Sequence, residues 1–328
     1  MALAAGKKQR GIALITVLMI LAIMVTIAAT MTGRLTLGLK RTEGLTFSQK
    51  VYWYGQSSID LGIKTLNEDF ADSEVVSLDQ TWATPDMVFP LDNGLMGGEF
   101  KDLRSCFNVN ALAVADSENG VRATPVTQFQ DLLVALEIDD YEAEVIAEST
   151  RDWIDQNDSS GAGTGAEDAF YQARPVPHLA ANNLMVDISE LRAVQGVSQN
   201  IYARIAPYLC AIPAKDQKIN VNTVSTEQAE ILHALFKKDH DISISDFHSL
   251  LMDRPTSGWS SVDEFLAESL FSGLVISAEL KGQLKVSSEF FQLDGIVQFE
   301  ERLLAIKLLF TIVSKKAEVI RYQSGGIR

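Results

Sequence analysis

The most apolar part of the chain is a stretch close to its N-terminus. No Asp, Glu, Lys or Arg occurs between Ile12 and Gly33, where most side chains are aliphatic. A helix over this stretch is about 33 Å long at about 1.5 Å per residue, which is enough to cross a bilayer. Residues 12–33 are therefore predicted to form a transmembrane helix.

A short basic segment, residues 1–11, precedes this stretch. Lys7, Lys8 and Arg10 lie directly before Gly11. Positive charges hold their side of a transmembrane helix in the cytoplasm, so the chain after Gly33 is expected on the far side of the membrane. A cleaved secretory signal peptide has an apolar region of about 7–15 residues, and its small residues follow that region. An ordinary uncleaved signal anchor is the alternative on topology alone.

The helix is predicted to continue beyond the membrane. No proline occurs before Pro85. Apolar positions spaced by four, three and four residues mark one face of a helix: Ile59, Ile63, Leu66 and Phe70. Residues 34–72 are therefore predicted to extend the N-terminal helix into a rod of about 90 Å.

Patterns typical of β-strands occur at two places far apart in the sequence. Residues 73–109 contain the β-like runs Glu74–Leu78 and Glu99–Val109, with prolines and glycines between them. Residues 285–328 contain three predicted β-segments: Lys285–Leu293, Gln298–Val313 and Glu318–Gln323. Asp294-Gly295 is predicted to be a turn.

The region between these patterns, residues 110–284, has helical periodicity. Phe107-Asn108-Val109-Asn110 matches Ile219-Asn220-Val221-Asn222, and an apolar helix and a second helix are predicted after each motif. This similarity indicates an internal repeat, with chance resemblance of short apolar helices as the alternative. The predicted fold class is α+β: a long N-terminal transmembrane helix, an antiparallel sheet formed by residues 73–109 and 285–328, and a large inserted all-helical domain.

The charge of the chain restricts its partners. The net charge is −15, and three of the positive charges lie in the N-terminal leader, so the remainder is more acidic still. Such a surface repels phosphate backbones, which argues against nucleic acid as a partner.

Carboxylates are concentrated in one glycine-rich segment, residues 152–168. Its acidic residues are Asp152, Asp155, Asp158, Glu167 and Asp168. Clustered carboxylates repel one another unless they are paired, protonated or bound to a cation, and Ca²⁺ takes six to eight oxygen ligands. The spacing is not that of an EF-hand. A solvated loop whose Asp residues cap helices is the alternative to a calcium site.

The two cysteines, Cys106 and Cys210, show no CxxC spacing, which argues against a zinc site. If the bulk of the chain lies outside the cytoplasm, both are in an oxidising compartment. Cys106 ends a predicted strand and Cys210 follows a predicted helix, so a disulfide would tie the insertion to the sheet and stabilise the fold by about 2–4 kcal/mol. Two buried thiols are the alternative.

The sequence offers little support for an enzyme. It has no nucleophile elbow or Walker loop, and the four histidines form no metal-binding pair or evident triad: His178, His233, His240 and His248. A membrane-anchored periplasmic enzyme that uses a metal in the acidic segment is the rival to a non-enzymatic assembly component.

The N-terminal segment Lys7-Lys8-Gln9-Arg10-Gly11-Ile12-Ala13-Leu14-Ile15 resembles a type IV prepilin cleavage site. The resemblance implies that a prepilin peptidase cuts between Gly11 and Ile12, that the new N-terminus is methylated, and that the long helix packs into a filament. One position departs from the family, because most of its members carry Glu at the fifth mature residue, which here is Thr16.

Further motifs resemble the general secretion pathway protein K family, the large minor pseudopilins of type II secretion. They are Arg151-Asp152-Trp153-Ile154-Asp155, Gly165-Ala166-Glu167-Asp168, Glu190-Leu191-Arg192-Ala193-Val194-Gln195-Gly196-Val197 and Ile219-Asn220-Val221-Asn222-Thr223. The resemblance implies a pilin-like helix and sheet with a helical insertion. It also implies calcium binding in the acidic region, for which Asp155, Asp158, Glu167 and Asp168 are the best-supported ligands.

The function expected from this resemblance is that of a minor pseudopilin in the bacterial inner membrane, with the bulk of the chain periplasmic. Its expected partners are other minor pseudopilins in a tip complex, the major pseudopilin and the prepilin peptidase. A minor pilin of a type IV pilus is the alternative, which the large insertion disfavours. Thr16 favours the tip, because a subunit with no neighbour ahead of it has no N-terminal amine for a Glu to pair with.

Overall fold

The structure is a computed structural model that describes residues 12–85, 87–91, 94–116, 120–160, 163–299 and 302–325. Gly11, the residue before the expected cleavage point, lies outside the described residues. The chain divides into two compact units, residues 1–57 and 58–328.

The described part of the first unit is helical. It belongs to helix α1, which is continuous from Ile12 to Asp72. Its large apolar side chains from Ile12 to Leu45 are exposed. Within the described residues, α1 is the helix that is long and apolar enough to cross a membrane.

The second unit contains the last turns of α1, a five-stranded antiparallel sheet and a large insertion. Its remaining helices are α2 (Thr124–Ala135), α3 (Asp140–Ile154), α4 (Asp168–Gln172), α5 (Gln199–Ile205), α6 (Ala229–Phe236), α7 (Ile244–Met252), α8 (Val262–Leu266) and α9 (Ala278–Gln283). Short 3-10 helices span Thr81–Ala83, Val109–Ala113, Ile188–Ala193, Ala206–Tyr208, Thr226–Gln228 and Ser269–Phe271.

The sheet is built from the two flanks of the insertion. The strands of the chain are β1 (Met87–Leu91), β2 (Gly94–Asp102), β3 (Phe107–Asn108), β4 (Leu209–Cys210), β5 (Ile219–Asn220), β6 (Leu284–Lys285), β7 (Phe290–Phe299), β8 (Arg302–Val313) and β9 (Lys316–Ser324). The sheet order is β1-β2-β7-β8-β9, so a strand before the insertion pairs with a strand after it. This arrangement confirms the α+β class.

The end of α1 packs on one face of this sheet. Leu66 and Phe70 are buried, and the Phe70 ring meets the Phe291 ring edge-on at 5.6 Å. Gly62 lets the helix approach closely, because a Cβ there would lie 2.6 Å from Cζ of Phe310.

Two local predictions for the flanks are wrong. Asp294-Gly295 is not a turn but lies inside β7, where Gly295 pairs with Gly98 on one side and Ile306 on the other. The run Glu74–Leu78 is irregular rather than a strand. Its links to the C-terminal flank are a hydrogen bond from Val76 N to Val286 O at 2.8 Å and an ion pair between Glu74 and Lys315 at 4.0 Å.

The insertion between β2 and β7 is helical apart from two short parallel ladders. β3 pairs with β4, and β5 pairs with β6. Each ladder joins the start of one half of the insertion to its end. A continuous apolar core, which includes Phe129, Leu232 and Phe247, fills both halves.

The repeated asparagine motif has the same local structure in both halves. The Asn110 amide donates to Met185 O at 2.9 Å, and its carbonyl accepts from Met185 N at 2.8 Å. The Asn222 amide donates to Trp259 O at 3.0 Å, and its carbonyl accepts from Trp259 N at 2.8 Å. In each half, one asparagine side chain therefore binds both the N–H and the C=O of a single distant residue.

Candidate cation site and the insertion–sheet junction

The acidic segment connects α3 to α4 in the first half of the insertion. Asp155 follows the last residue of α3, and Glu167 immediately precedes α4. Residues 161–162 of this segment lie outside the described residues.

Two of the segment's five carboxylates accept hydrogen bonds from backbone N–H groups. Asp155 accepts hydrogen bonds from N of Asn157 at 3.1 Å and from Nδ2 of Asn157 at 2.8 Å. Asp168 accepts from Ala180 N at 2.9 Å. Asp158 is exposed. These contacts do not form a closed ligand shell. They do not cap a helix N-terminus either, because Asn157 and Ala180 lie outside the helices.

Glu167 is different, because its carboxylate is buried and uncompensated. The residue is 8% exposed, and neither carboxylate oxygen has a hydrogen-bond partner among the described residues. Burial, and then the charges of Asp152, Asp155, Asp158 and Asp168, raise the pKa of Glu167 to about 7. A cation beside this carboxylate would favour its ionised form and so act against both causes of the raised pKa.

Asp155, Asp158 and Asp168 lie near enough to Glu167 to raise its pKa, yet the four predicted ligands do not form a closed shell. In the described part of the chain, no group of three or more His, Cys, Asp or Glu side chains is arranged to hold a metal ion. The donors have the right chemistry for Ca²⁺, but the segment would have to close around the ion. The sequence-based ligand set also omits Asp152, which is buried in the last turn of α3. Asp152 lies three residues before Asp155, and residues with this spacing are neighbours on a helix surface, so the sequence did contain a sign that the two carboxylates are close.

An aromatic cluster holds the two ends of the segment in place. The Trp153 and Tyr171 rings meet edge-on at 5.2 Å, and the Tyr171 and His178 rings lie 5.2 Å apart. Asn182 N donates to Trp153 O at 3.0 Å. These contacts hold the end of α3 and the residues of α4 close to Glu167 in defined positions.

The predicted disulfide is present between Cys106 and Cys210, whose Cα atoms are 5.8 Å apart. Both residues are buried in a small apolar cluster with Leu103, Ile212 and Leu309. The bond therefore fastens the end of the first half of the insertion to the sheet, and the alternative of two buried thiols does not hold.

A buried polar network reinforces the same junction. Asp102, at the end of β2, accepts hydrogen bonds from Nδ2 of Asn220 at 3.0 Å, Oγ1 of Thr223 at 2.7 Å and the hydroxyl of Ser288. It also accepts from Arg104 N at 2.7 Å. One carboxylate thus joins the sheet, the second half of the insertion and the chain that returns to β7.

Arg104 forms the second part of this network. Its buried guanidinium donates to Asp216 at 3.1 Å and to Glu289 at 2.5 Å. Burial opposes ionisation of both carboxylates, but the hydrogen bond and charge of Arg104, with nearby lysines, outweigh it and hold the pKa of each below its ordinary value. The sequence analysis missed both Asp102 and Arg104.

Comparison with known proteins matches this architecture. Two family models, both described as type II secretion system (T2SS), protein K, match residues 105–214 and 219–287. Their boundaries coincide with the two halves of the insertion, each of which begins and ends at a parallel ladder.

Similar proteins extend the match to most of the chain. The type II secretion system protein K of Aeromonas hydrophila is 38% identical over 328 residues, covering 98% of each chain. The protein of that name from Pectobacterium carotovorum subsp. carotovorum is 36% identical, also covering 98% of each. A chain in the crystal structure of the GspK-GspI-GspJ complex of the enterotoxigenic Escherichia coli type 2 secretion system superposes with a TM-score of 0.79. It is 34% identical, and the match covers 88% of this chain and 100% of that one.

Proposed function

The chain belongs to the type II secretion system protein K family, and from this premise we propose that it caps the tip of a periplasmic pseudopilus as a minor pseudopilin. In this role it helps initiate assembly of the pseudopilus for protein export. Similarity to a chain of the solved GspK-GspI-GspJ complex carries the proposal. The partners it implies are two other minor pseudopilins, the major pseudopilin below them and the prepilin peptidase.

The N-terminal helix anchors the protein in the membrane, and the proposal assigns that membrane as the inner membrane. The support is the uncharged stretch of α1, exposed along its length, after a basic leader. We also propose that the protein is an assembly component rather than an enzyme, because its relatives are named as parts of a secretion system. Those names also disfavour a minor pilin of a type IV pilus.

The tip position has support from Thr16. Its Oγ1 donates to Ala13 O at 2.9 Å, so its polar group is satisfied within its own helix. A Glu at this position would need a partner inside the membrane. We expect the isosteric variant Thr16→Val to assemble normally. Thr16→Glu should assemble no better than the wild-type protein, because a Glu at this position is not required for assembly at the tip.

Cross-linking in intact cells, followed by mass spectrometry, tests the tip assignment. The second unit should be joined to other minor subunits and not to many copies of itself. Finding the protein at regular intervals along isolated filaments would overturn the assignment.

We further propose that the acidic segment binds Ca²⁺ through Asp155, Asp158, Glu167 and Asp168. The support is the unpartnered, buried carboxylate of Glu167 beside like charges. When bound, the ion would supply the positive charge and oxygen coordination that these side chains lack. The segment would then close and order the first half of the insertion.

Calcium should raise the thermal midpoint of the full-length protein in detergent, because it binds the folded state selectively. Asp158→Asn/Glu167→Gln should abolish that rise. Asp253→Asn, at an exposed position on the other half of the insertion, is the matched control and should retain it. An identical midpoint in chelator and in calcium for the wild-type protein would refute the site.

A further inference from the structure

A small cavity lies where the insertion covers the sheet, on the face opposite α1. Its volume is about 80 Å³, which is room for several waters or one small anion at about 10–15 Å³ per water-sized probe. The sheet supplies Lys101, Gln292, Lys307 and Arg321, and the insertion supplies its other wall around Leu209 and Cys210.

Strand register brings the cationic side chains together. Lys101 on β2 pairs with Gln292, Gln292 with Leu309, and Leu309 with Arg321 on β9. These four residues form one row across the sheet, with neighbouring strands about 4.8 Å apart. Lys307 lies two residues before Leu309 on the same strand, so its side chain points to the same face.

The cavity is positively charged in a chain whose net charge is −15. Three cations line it, whereas Asp187 is the one acidic residue among the described lining residues. The Asp187 carboxylate is already engaged, because it accepts from Ser189 N at 2.9 Å and from Nζ of Lys307 at 3.4 Å. The side chains of Lys101 and Arg321 remain without a hydrogen bond or ion pair to any described residue.

Leaving Lys101 unpaired is unfavourable at this position. Burial lowers the pKa of Lys101, and the charge of Lys307 adds to that effect, against the attraction of Asp294 and Asp102. An ammonium group that has lost water without gaining a partner is destabilised until an anion pairs with it. The unused guanidinium of Arg321 offers the paired donors that bind a carboxylate in two places.

The wall that the insertion contributes to the cavity is held in place by covalent and backbone links. Cys210 is covalently bound to Cys106, and Leu209 pairs with Phe107. A rigid wall over a fixed row of strands preorganises the cations, which lowers the entropy lost on binding. We propose that this cavity is an anion site that binds a carboxylate between Lys101 and Arg321. The carboxylate is either a small one from solution or the acidic side chain of a neighbouring subunit.

Acetate is the probe for the first source. Full-length protein in detergent is melted with acetate replacing chloride at constant ionic strength, and the thermal midpoint is measured. Lys101→Met/Arg321→Gln should lose the acetate-dependent rise seen in the wild-type protein. Lys215→Met/Lys316→Met changes the charge equally at two exposed positions and should retain the rise, which controls for general salt effects.

Co-assembly with the other minor subunits is the probe for the second source. If Lys101→Met/Arg321→Gln reduces cross-linking to them while the control variant does not, a neighbouring subunit supplies the carboxylate. Unchanged cross-linking together with a lost acetate response assigns the site to a small carboxylate. This arm rests on the proposed function, and a wild-type protein that fails to co-assemble refutes that function without affecting the acetate result.

The charge-preserving variant Lys101→Arg/Arg321→Lys guards against misfolding. It should retain a weakened acetate response, because it keeps both charges but moves the paired donors from position 321 to position 101. The proposal is overturned if the wild-type protein and Lys101→Met/Arg321→Gln show the same acetate response and the same co-assembly. It is equally overturned if the charge-preserving variant folds with its disulfide intact and behaves like the charge-removing one.

Discussion

Replacing Glu167 with glutamine should stabilise the protein in the absence of calcium. The carboxylate is 8% exposed, has no hydrogen-bond partner among the described residues and lies among four other carboxylates. Glutamine has nearly the same shape but no charge, so the substitution removes the repulsion and leaves the packing in place.

The size of the effect follows from the pKa of Glu167, which is about 7 instead of 4.5. Each tenfold change in proton affinity corresponds to about 1.4 kcal/mol, so the ionised side chain destabilises the folded state by about 3 kcal/mol at most. Below about pH 4.5 the group is protonated in both states and this penalty is absent. Between about pH 4.5 and 7 the unfolded state ionises first, the free energy of unfolding falls, and the penalty is complete above about pH 7.

Urea unfolding of the full-length protein in metal-free buffer, followed by tryptophan fluorescence, measures this difference. Trp153 packs against Tyr171 beside the segment and reports on its surroundings. At pH 8, Glu167→Gln should be more stable than the wild-type protein by up to about 3 kcal/mol, and near pH 4.5 the two should be equal. With calcium added, the order at pH 8 should reverse, because the variant lacks a ligand.

Asp253→Asn removes an exposed carboxylate and serves as the control, with little change expected at either pH. The reasoning is refuted if Glu167→Gln and the wild-type protein have equal stability at pH 8 without metal. A difference that is the same at both pH values would point to packing rather than charge.

Three further perturbations test the junction between insertion and sheet. Reducing the Cys106–Cys210 bond should lower the free energy of unfolding by about 2–4 kcal/mol, measured by urea unfolding with and without reductant. Asp102→Ala should destabilise by on the order of 3 kcal/mol, because it leaves several buried donors unpaired, and a loss within about 0.5 kcal/mol would contradict the network. The lowered pKa values of Asp216 and Glu289 stabilise the wild-type protein at higher pH, and this stability is lost when the carboxylates are protonated below about pH 4. The free energy of unfolding of Arg104→Met should therefore fall less steeply with pH in this range. A pH titration of the urea midpoint checks this, and an unchanged slope would contradict it.

The regular elements were predictable because their signals are local. An uncharged apolar stretch and the absence of proline before Pro85 are enough to predict α1, and the predicted β-segment Gln298–Val313 contains all of β8. The asparagine motif was also visible, because Asn108 and Asn220 recur in the same short sequence context.

The errors arise where distant parts of the chain decide the structure. Asp294-Gly295 has the composition of a turn, but strands on both sides pair with it and hold it extended. The importance of Asp102 depends on Asn220 and Ser288, which lie more than a hundred residues away. Spacing alone carries no signal for such contacts, and the same is true of the row from Lys101 to Arg321.

The disulfide also has a mechanical consequence. It closes a covalent loop between residues 104 positions apart, and this loop contains the whole acidic segment. The shortest covalent path from β2 to the second half of the insertion runs from Cys106 through the two sulfur atoms to Cys210. A tensile force along the chain would follow this path and would not stretch the first half. About 104 residues, which at about 3.3 Å each would otherwise add some 340 Å of extended chain, are shielded from stretching. Closure of the acidic segment around an ion would therefore leave the length of this path unchanged.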